Sequence, residues 1–166
     1  MLIQSYGLFW HADQVNWFPG KGHSFRMLGR RYWNLPHLRV TDFRQQSGIY
    51  ILYGNHGPHY VGLARKRGIG VRLREHLGDE HKGHWDRFSW FGFRAVLKST
   101  SNLGLHGLKK LATIGKGPPN DLIADTEALL IKAMGLRNKA DMKFKKALCW
   151  EQVRSDEINQ ILQKIL

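Results

Sequence analysis

Cysteine is almost missing from this chain. Cys149 stands alone, which excludes an intrachain disulfide and any zinc site built on several thiolates. A reducing, cytoplasmic setting is the reading that such cysteine usage favours. Long apolar runs are missing too. No stretch approaches the roughly 20 residues needed to span a bilayer, so no membrane role is expected. Met1 to Tyr6 has neither the basic start nor the apolar run of a secretory signal. Acidic residues are scarce, with 13 Asp and Glu against 26 Lys and Arg. Proline is ordinary at 5 residues, which argues against a disordered or fibrous chain.

What is present in excess is positive charge. The net charge of +13 over 166 residues favours a polyanionic partner, and nucleic acid is the commonest. The excess is not confined to a tail. Residues 1–47 hold six basic and two acidic residues, and residues 60–98 hold nine and four. A folded basic surface fits this better than a disordered arm. A basic membrane-surface protein would show a long amphipathic helix with its cations on one face, and none stands out.

Three segments follow from the pattern. Residues 1–47 form an aromatic-rich extension packed on the core, with short strands at Tyr6–Trp10 and Leu38–Phe43. Its aromatics suit packing better than base stacking. Residues 48–138 form the core. Gly48-Ile49-Tyr50-Ile51-Leu52-Tyr53 is β-rich, Gly54–Pro58 supplies a turn, and His59-Tyr60-Val61-Gly62-Leu63 returns, which predicts an antiparallel hairpin. The basic loop Arg65–Gly70 leads into a helix over 71–77, closed by Gly78. Phe88–Leu97 reads as a third strand and Leu103–Ile114 as a short helix. Asn120 or Asp121 caps a helix reaching Met134, and Gly135 ends it. Residues 139–166 form a C-terminal extension whose last helix, with Ile158, Ile161, Leu162 and Ile165 at helical spacing, docks on the core or serves a homodimer contact.

Three constellations bear chemistry. Glu127 shares a helical stripe with Ile123, Leu130, Ile131 and Met134. A carboxylate on a buried stripe needs a cation or hydrogen-bond donors. An internal ion pair with Arg72 or a lysine is one answer, and a bound divalent cation the other. Arg72 and His76 lie one turn apart, after a loop whose backbone can approach phosphate. Tyr50 and Tyr60 on neighbouring strands form either a core aromatic pair or part of a site. A zinc site from His76, His81 and His84 is possible on spacing, although loop histidines are more often solvated.

The order Gly48-Ile49-Tyr50, nine intervening residues, Tyr60-Val61-Gly62, then Arg72, His76, Glu127 and Asn138 resembles the GIY-YIG nuclease family over about residues 47–138. The resemblance implies an α/β (α+β) fold, a small three-stranded antiparallel sheet flanked by helices. It also implies a divalent-metal-dependent endonuclease. In that reading Tyr50, Tyr60, Arg72, His76 and Glu127 are catalytic, and Glu127 holds Mg²⁺ or Mn²⁺. Gly48, Gly62 and Asn138 keep the site in shape, while Arg65, Lys66, Arg67, Arg74 and His84 contact nucleic acid. Tyr50 is the preferred group to take the proton of the attacking water. DNA is the expected substrate. RNA, or a non-cutting nucleic-acid-binding module on the same scaffold, are the alternatives. One site cuts one strand, so a double-strand break needs a homodimer, a partner protein or two visits. Two departures stand out: the 65–70 loop is about two residues long for the family, and Leu63 occupies a position often polar or Lys there.

Overall fold

A computed structural model of the chain describes residues 2–111, 119–135, 144 and 146–166. Its strands are β1 (Ser5–His11), β2 (Leu28–Arg31), β3 (Arg39–Asp42), β4 (Gly48–Gly54), β5 (Gly57–Ala64), β6 (Arg87–Gly92), β7 (Val96–Thr100), β8 (His106–Leu108), β9 (Leu148–Cys149) and β10 (Glu151–Gln152). Its α-helices are α1 (Ile69–Glu75), α2 (Pro119–Met134) and α3 (Ile158–Ile165). The strands build two five-stranded sheets, ordered β5-β4-β6-β1-β9 and β10-β2-β3-β8-β7. Both sheets are mixed, because β1 pairs in parallel with β9 and β3 with β8.

The expected α/β core, one three-stranded antiparallel sheet flanked by helices, is therefore corrected. The architecture is mostly β. Strands from both ends of the chain enter the sheets: β1 and β9 extend the first, and β2, β3 and β10 make most of the second. Among the described residues no helix is long and apolar enough to cross a membrane.

The hairpin forms as the sequence predicts, with β4 and β5 antiparallel from the pair Gly48–Ala64 to the pair Gly54–Gly57. Tyr50 stands opposite Gly62, and Leu52 opposite Tyr60. The two tyrosines are thus diagonal neighbours on one face. A Cβ at Gly62 would run into the Tyr50 ring, and one at Gly48 into the Phe91 carbonyl of β6. Each tripeptide needs its glycine for close approach.

Period-two alternation sorts β4 between two cores. Tyr50 and Leu52 join Phe88, Trp90, Trp10, Phe43 and Trp150, together with Ile69 and Leu73 of α1. Ile51 and Tyr53 face the other way, toward Phe91 and toward Ala128 and Ala133 of α2. Burial on both faces explains why β4 reads as an unbroken apolar run. A third cluster joins Leu28 and Val40 of the second sheet to Ile161 of α3, so the last helix docks there.

Three sequence expectations change. The run Phe88–Leu97 is two strands in different sheets. The buried Gln46 carboxamide makes the break, donating to the Ser5 hydroxyl at 3.0 Å and the Arg94 carbonyl at 2.9 Å and accepting from the Arg94 N–H at 3.0 Å. The described part of Leu103–Ile114 is not helical. Gly104 sits at φ +73 in a turn and β8 follows, paired with β3 and β7. Helix α2 forms, but with its other face inward. Asp125, Ala128 and Ala133 are buried, whereas Ile123, Leu130 and Met134 are 65%, 53% and 58% exposed. Glu127 lies on this outer face. Small residues win because they let the helix backbone approach the sheet, where the Tyr53 hydroxyl donates to the Ala133 carbonyl. The Asp125 carboxylate accepts the N–H groups of Leu2 and Ile3 at 3.0 and 3.1 Å.

Stability should follow this arrangement. Gly62→Ala overpacks the Tyr50 ring and should cost about 1–3 kcal/mol. Asp125→Ala strands two backbone donors and should cost about 1–3 kcal/mol. Ile123→Ala, on the outer face of α2, should stay within about 0.5 kcal/mol of wild type. Urea unfolding measures all three, and a large loss for Ile123→Ala would contradict the orientation of the helix.

Candidate functional site

Helix α1 is short and ends at Glu75, with His76 as its C-terminal cap. One turn separates Arg72 from His76, so both side chains rise from the same face toward the hairpin. His76 is only 3% exposed, and its carbonyl accepts the Trp85 indole N–H at 3.2 Å, which ties the following loop to the helix end.

The imidazole is held at both nitrogens. His76 Nδ1 lies 2.7 Å from Asp79 Oδ2, and Nε2 lies 2.8 Å from the Tyr50 hydroxyl. An ionised carboxylate only accepts, so the Nδ1 proton points at Asp79, and in the neutral ring Nε2 carries the lone pair. The Tyr50 O–H therefore donates to His76. The second Asp79 oxygen accepts the His81 N–H at 2.9 Å. Desolvation pulls the Asp79 carboxyl up, but hydrogen bonds from the His81 backbone and from His76 outweigh it and hold it below the ordinary carboxylate value. Burial raises the Tyr50 phenol above its ordinary value, although the charge and hydrogen bonding of Arg72 act against the rise. Tyr50 is wholly buried. It is a neutral donor at physiological pH.

Tyr60 lies further out. Its ring centroid is 6.3 Å from that of Tyr50, 5.1 Å from His76 and 4.3 Å from His81. His81 Nδ1 sits 3.1 Å from His59 Nε2, and the exposed His84 stacks on His59 at 5.5 Å. His84, expected from the sequence to contact nucleic acid, thus stands at the rim.

Beside Arg72 opens a cleft of about 320 Å³ lined by Leu63, Ala64, Arg65, Lys66, Arg67 and Arg72. Four cations line one hollow. Glu75 is the counter-charge, pairing with both Arg67 and Arg72. Arg74 points elsewhere, its guanidinium 4.7 Å over the Phe25 ring.

Tyr50, Tyr60, Arg72 and His76 are thus brought together, with Gly48 and Gly62 shaping the hairpin beneath them. Glu127 is not. Helix α2 packs on the Ile51–Tyr53 face of the sheet, opposite to Tyr50, and turns Glu127 outward. A Mg²⁺ or Mn²⁺ ion held by Glu127 therefore does not fit a site at Tyr50 and Arg72. Asn138 lies outside the described residues. Sequence reasoning missed Asp79 and Glu75, which complete the site. Their signal was spacing, since each stands three residues after the nitrogen-bearing side chain it meets, His76 for Asp79 and Arg72 for Glu75. Among the described residues, His76, Asp79 and His81 form the one group of three side chains that can share a metal ion.

No family model, curated protein or solved structure matches the chain.

The Asp79 carboxyl supplies a pH test. Because its folded value is lowered, its contribution is complete above the unfolded carboxylate pKa of about 3.9 and is lost as pH falls through the lower, folded value. Asp79→Asn removes this dependence. Between about pH 4 and 2, the wild-type urea midpoint should fall more steeply than that of the variant. Parallel curves would mean that Asp79 is not bonded as described.

Proposed function

We propose that the chain hydrolyses phosphodiester bonds in nucleic acid, acting as a DNA endonuclease related to the GIY-YIG enzymes through its two tripeptides. One observation carries this reading. Arg72 stands where the four-cation cleft meets the buried chain Tyr50–His76–Asp79.

In this reading the backbone phosphate enters the cleft and displaces Glu75 from Arg67 and Arg72. Arg65, Lys66 and Arg67 supply affinity without sequence preference. Arg72 follows the phosphoryl oxygens as their charge grows, and its planar fork suits two of them at once. Tyr50 cannot meet water directly, because it is wholly buried. It acts as a positioning residue: its hydroxyl is fixed by His76, and that arrangement in turn holds Arg72. The role of water activation expected for Tyr50 passes to the half-exposed side of the site, where the Tyr60 hydroxyl can hydrogen-bond the attacking water. The water oxygen bonds to phosphorus as the phosphorus–oxygen bond to the leaving strand breaks; the proton of the water is relayed through the Tyr60 hydroxyl to solvent, and the leaving oxygen takes a proton from solvent. No step is assigned to Glu127.

A binding module that does not cut is the second reading. The outward position of Glu127 favours it, since that leaves the implied carboxylate away from the phosphate cleft.

Plasmid DNA, single-stranded DNA and RNA incubated with the purified chain and Mg²⁺, Mn²⁺ or Zn²⁺ separate these readings. Cleavage of DNA is expected, with Arg72→Ala lowering turnover about 100-fold or more. Glu127→Ala should cut like wild type. Arg65→Ala with Lys66→Ala should weaken binding and flatten its salt dependence, by about 0.9 in log–log slope for each phosphate no longer neutralised. Equal turnover by wild type and Arg72→Ala would sink the hydrolase reading. Tight binding with no cleavage under any of the metals would establish the module instead.

A further inference from the structure

His76, Asp79 and His81 each offer one ligand atom, and the three atoms lie within 4.8 Å of one another. From this geometry we propose that the loop after α1 binds one divalent transition-metal ion of the zinc class, through two imidazoles and one carboxylate. The inference stands apart from hydrolysis and holds whether or not the chain cuts nucleic acid.

The donor set is the first argument. Magnesium and calcium seek oxygen ligands, whereas two imidazoles with one carboxylate suit zinc and its neighbours. Three protein ligands also leave an open position, as in metal sites that do chemistry.

The surroundings of the two imidazoles are the second. A metal-bound histidine is usually held at its other ring nitrogen by a hydrogen-bonding partner. Here His76 Nε2 meets the Tyr50 hydroxyl at 2.8 Å, and His81 Nδ1 meets His59 Nε2 at 3.1 Å. The nitrogens left to face the ion are Nδ1 on His76 and Nε2 on His81, each beside a carboxylate. His76 Nδ1 now shares a proton with Asp79 Oδ2 across 2.7 Å, and the ion takes the place of that proton. Bonds of about 2.0–2.2 Å to one tetrahedral ion set such a pair about 3.4 Å apart, a shift of under about 1 Å for a carboxylate on a partly exposed loop.

Charge is the third. In a chain of net charge +13, cations are repelled from most of the surface. Asp79 and Glu80 make this loop an exception, and the Glu80 carboxylate lies 3.8 Å from His81 Nε2, within reach of the ion's outer sphere. Metal binding also reverses the hydrogen bond to Tyr50. With Nδ1 on the ion, Nε2 carries the proton and donates to the phenol.

The test uses the full chain, stripped with EDTA and titrated with Co²⁺ as a spectroscopic probe, with Zn²⁺ in competition. One equivalent should bind with visible ligand-field bands, and Zn²⁺ should displace it. His81→Ala and Asp79→Asn should each weaken binding by about 100-fold. His59→Ala, which removes only an outer partner, should weaken it about 10-fold, at the low end of such effects. His106→Ala and Cys149→Ser should bind like wild type. His76 is left in place because its removal empties a buried position, and thermal unfolding confirms that the other variants are folded. No bound equivalent, or unchanged binding in folded His81→Ala and Asp79→Asn, overturns the proposal. Loss of binding in Cys149→Ser overturns it as well, by placing the ion elsewhere. DNA cleavage is not the readout. A chain that binds Co²⁺ at this loop but never cuts upholds the site and removes only the hydrolase reading.

Discussion

Tyr50 lies flat across a strand neighbour that has no side chain. Gly62 stands opposite it in register, and any Cβ there would collide with the ring. That one packing constraint sets the rest of the site. The ring passes over β5 and delivers its hydroxyl to His76, on the cap of α1. His76 in turn fixes Asp79, and Asp79 fixes the backbone of the loop bearing His81. Core packing and site geometry share a single side chain. A shift of the hairpin register by one residue would turn Tyr50 to the face covered by α2 and dissolve the whole arrangement.

The parts of the fold legible in the sequence are those whose signal is local. The β4–β5 hairpin carries apolar β-formers around a turn of Gly, Asn and Pro, and it forms as read. Helix α1 and the docking of α3 were visible for similar reasons. Of the second sheet, β3 was read within Leu38–Phe43, but most of its other strands were not. Leu28-Gly29-Arg30-Arg31 has no apolar alternation, yet it is a strand whose Arg30 is buried against Glu151 and Glu157 and stacks 3.2 Å over Trp33. The two glutamates lie far along the chain, and no window-sized pattern contains them. β9 and β10 are two residues each and exist only because β1 and β2 offer edges to pair with.

Helix α2 shows why an apolar stripe is weak evidence about orientation. Its large residues, Ile123, Leu130 and Met134, suggest the inner face, and periodicity cannot reject that choice. Two alanines and an aspartate lie inside instead. Close approach to the sheet favours small side chains, and the Asp125 carboxylate has backbone donors waiting near the start of the chain. The same inversion carries Glu127 away from Tyr50. The motif order along the sequence therefore brought four of its members together and misplaced the fifth, because adjacency along a helix does not say which side of a sheet that helix covers.

A buried tyrosine hydroxyl is not needed for packing. Phenylalanine would fill the space over Gly62 equally well, without a polar group that costs about 1–3 kcal/mol if left unpaired. Here the hydroxyl is paired, and so is every polar atom behind it: His76 at both nitrogens, and Asp79 at both oxygens. Such a chain contributes little net stability over an apolar core of the same shape. What it does provide is orientation. Arg72 is set beside a fixed phenol at the mouth of a basic cleft, and the imidazole of His76 is held in one tautomer. The polar chain makes sense as a device for holding charge and lone pairs in place. That paired hydroxyl separates Tyr50 from the tyrosine of an ordinary cross-strand aromatic pair.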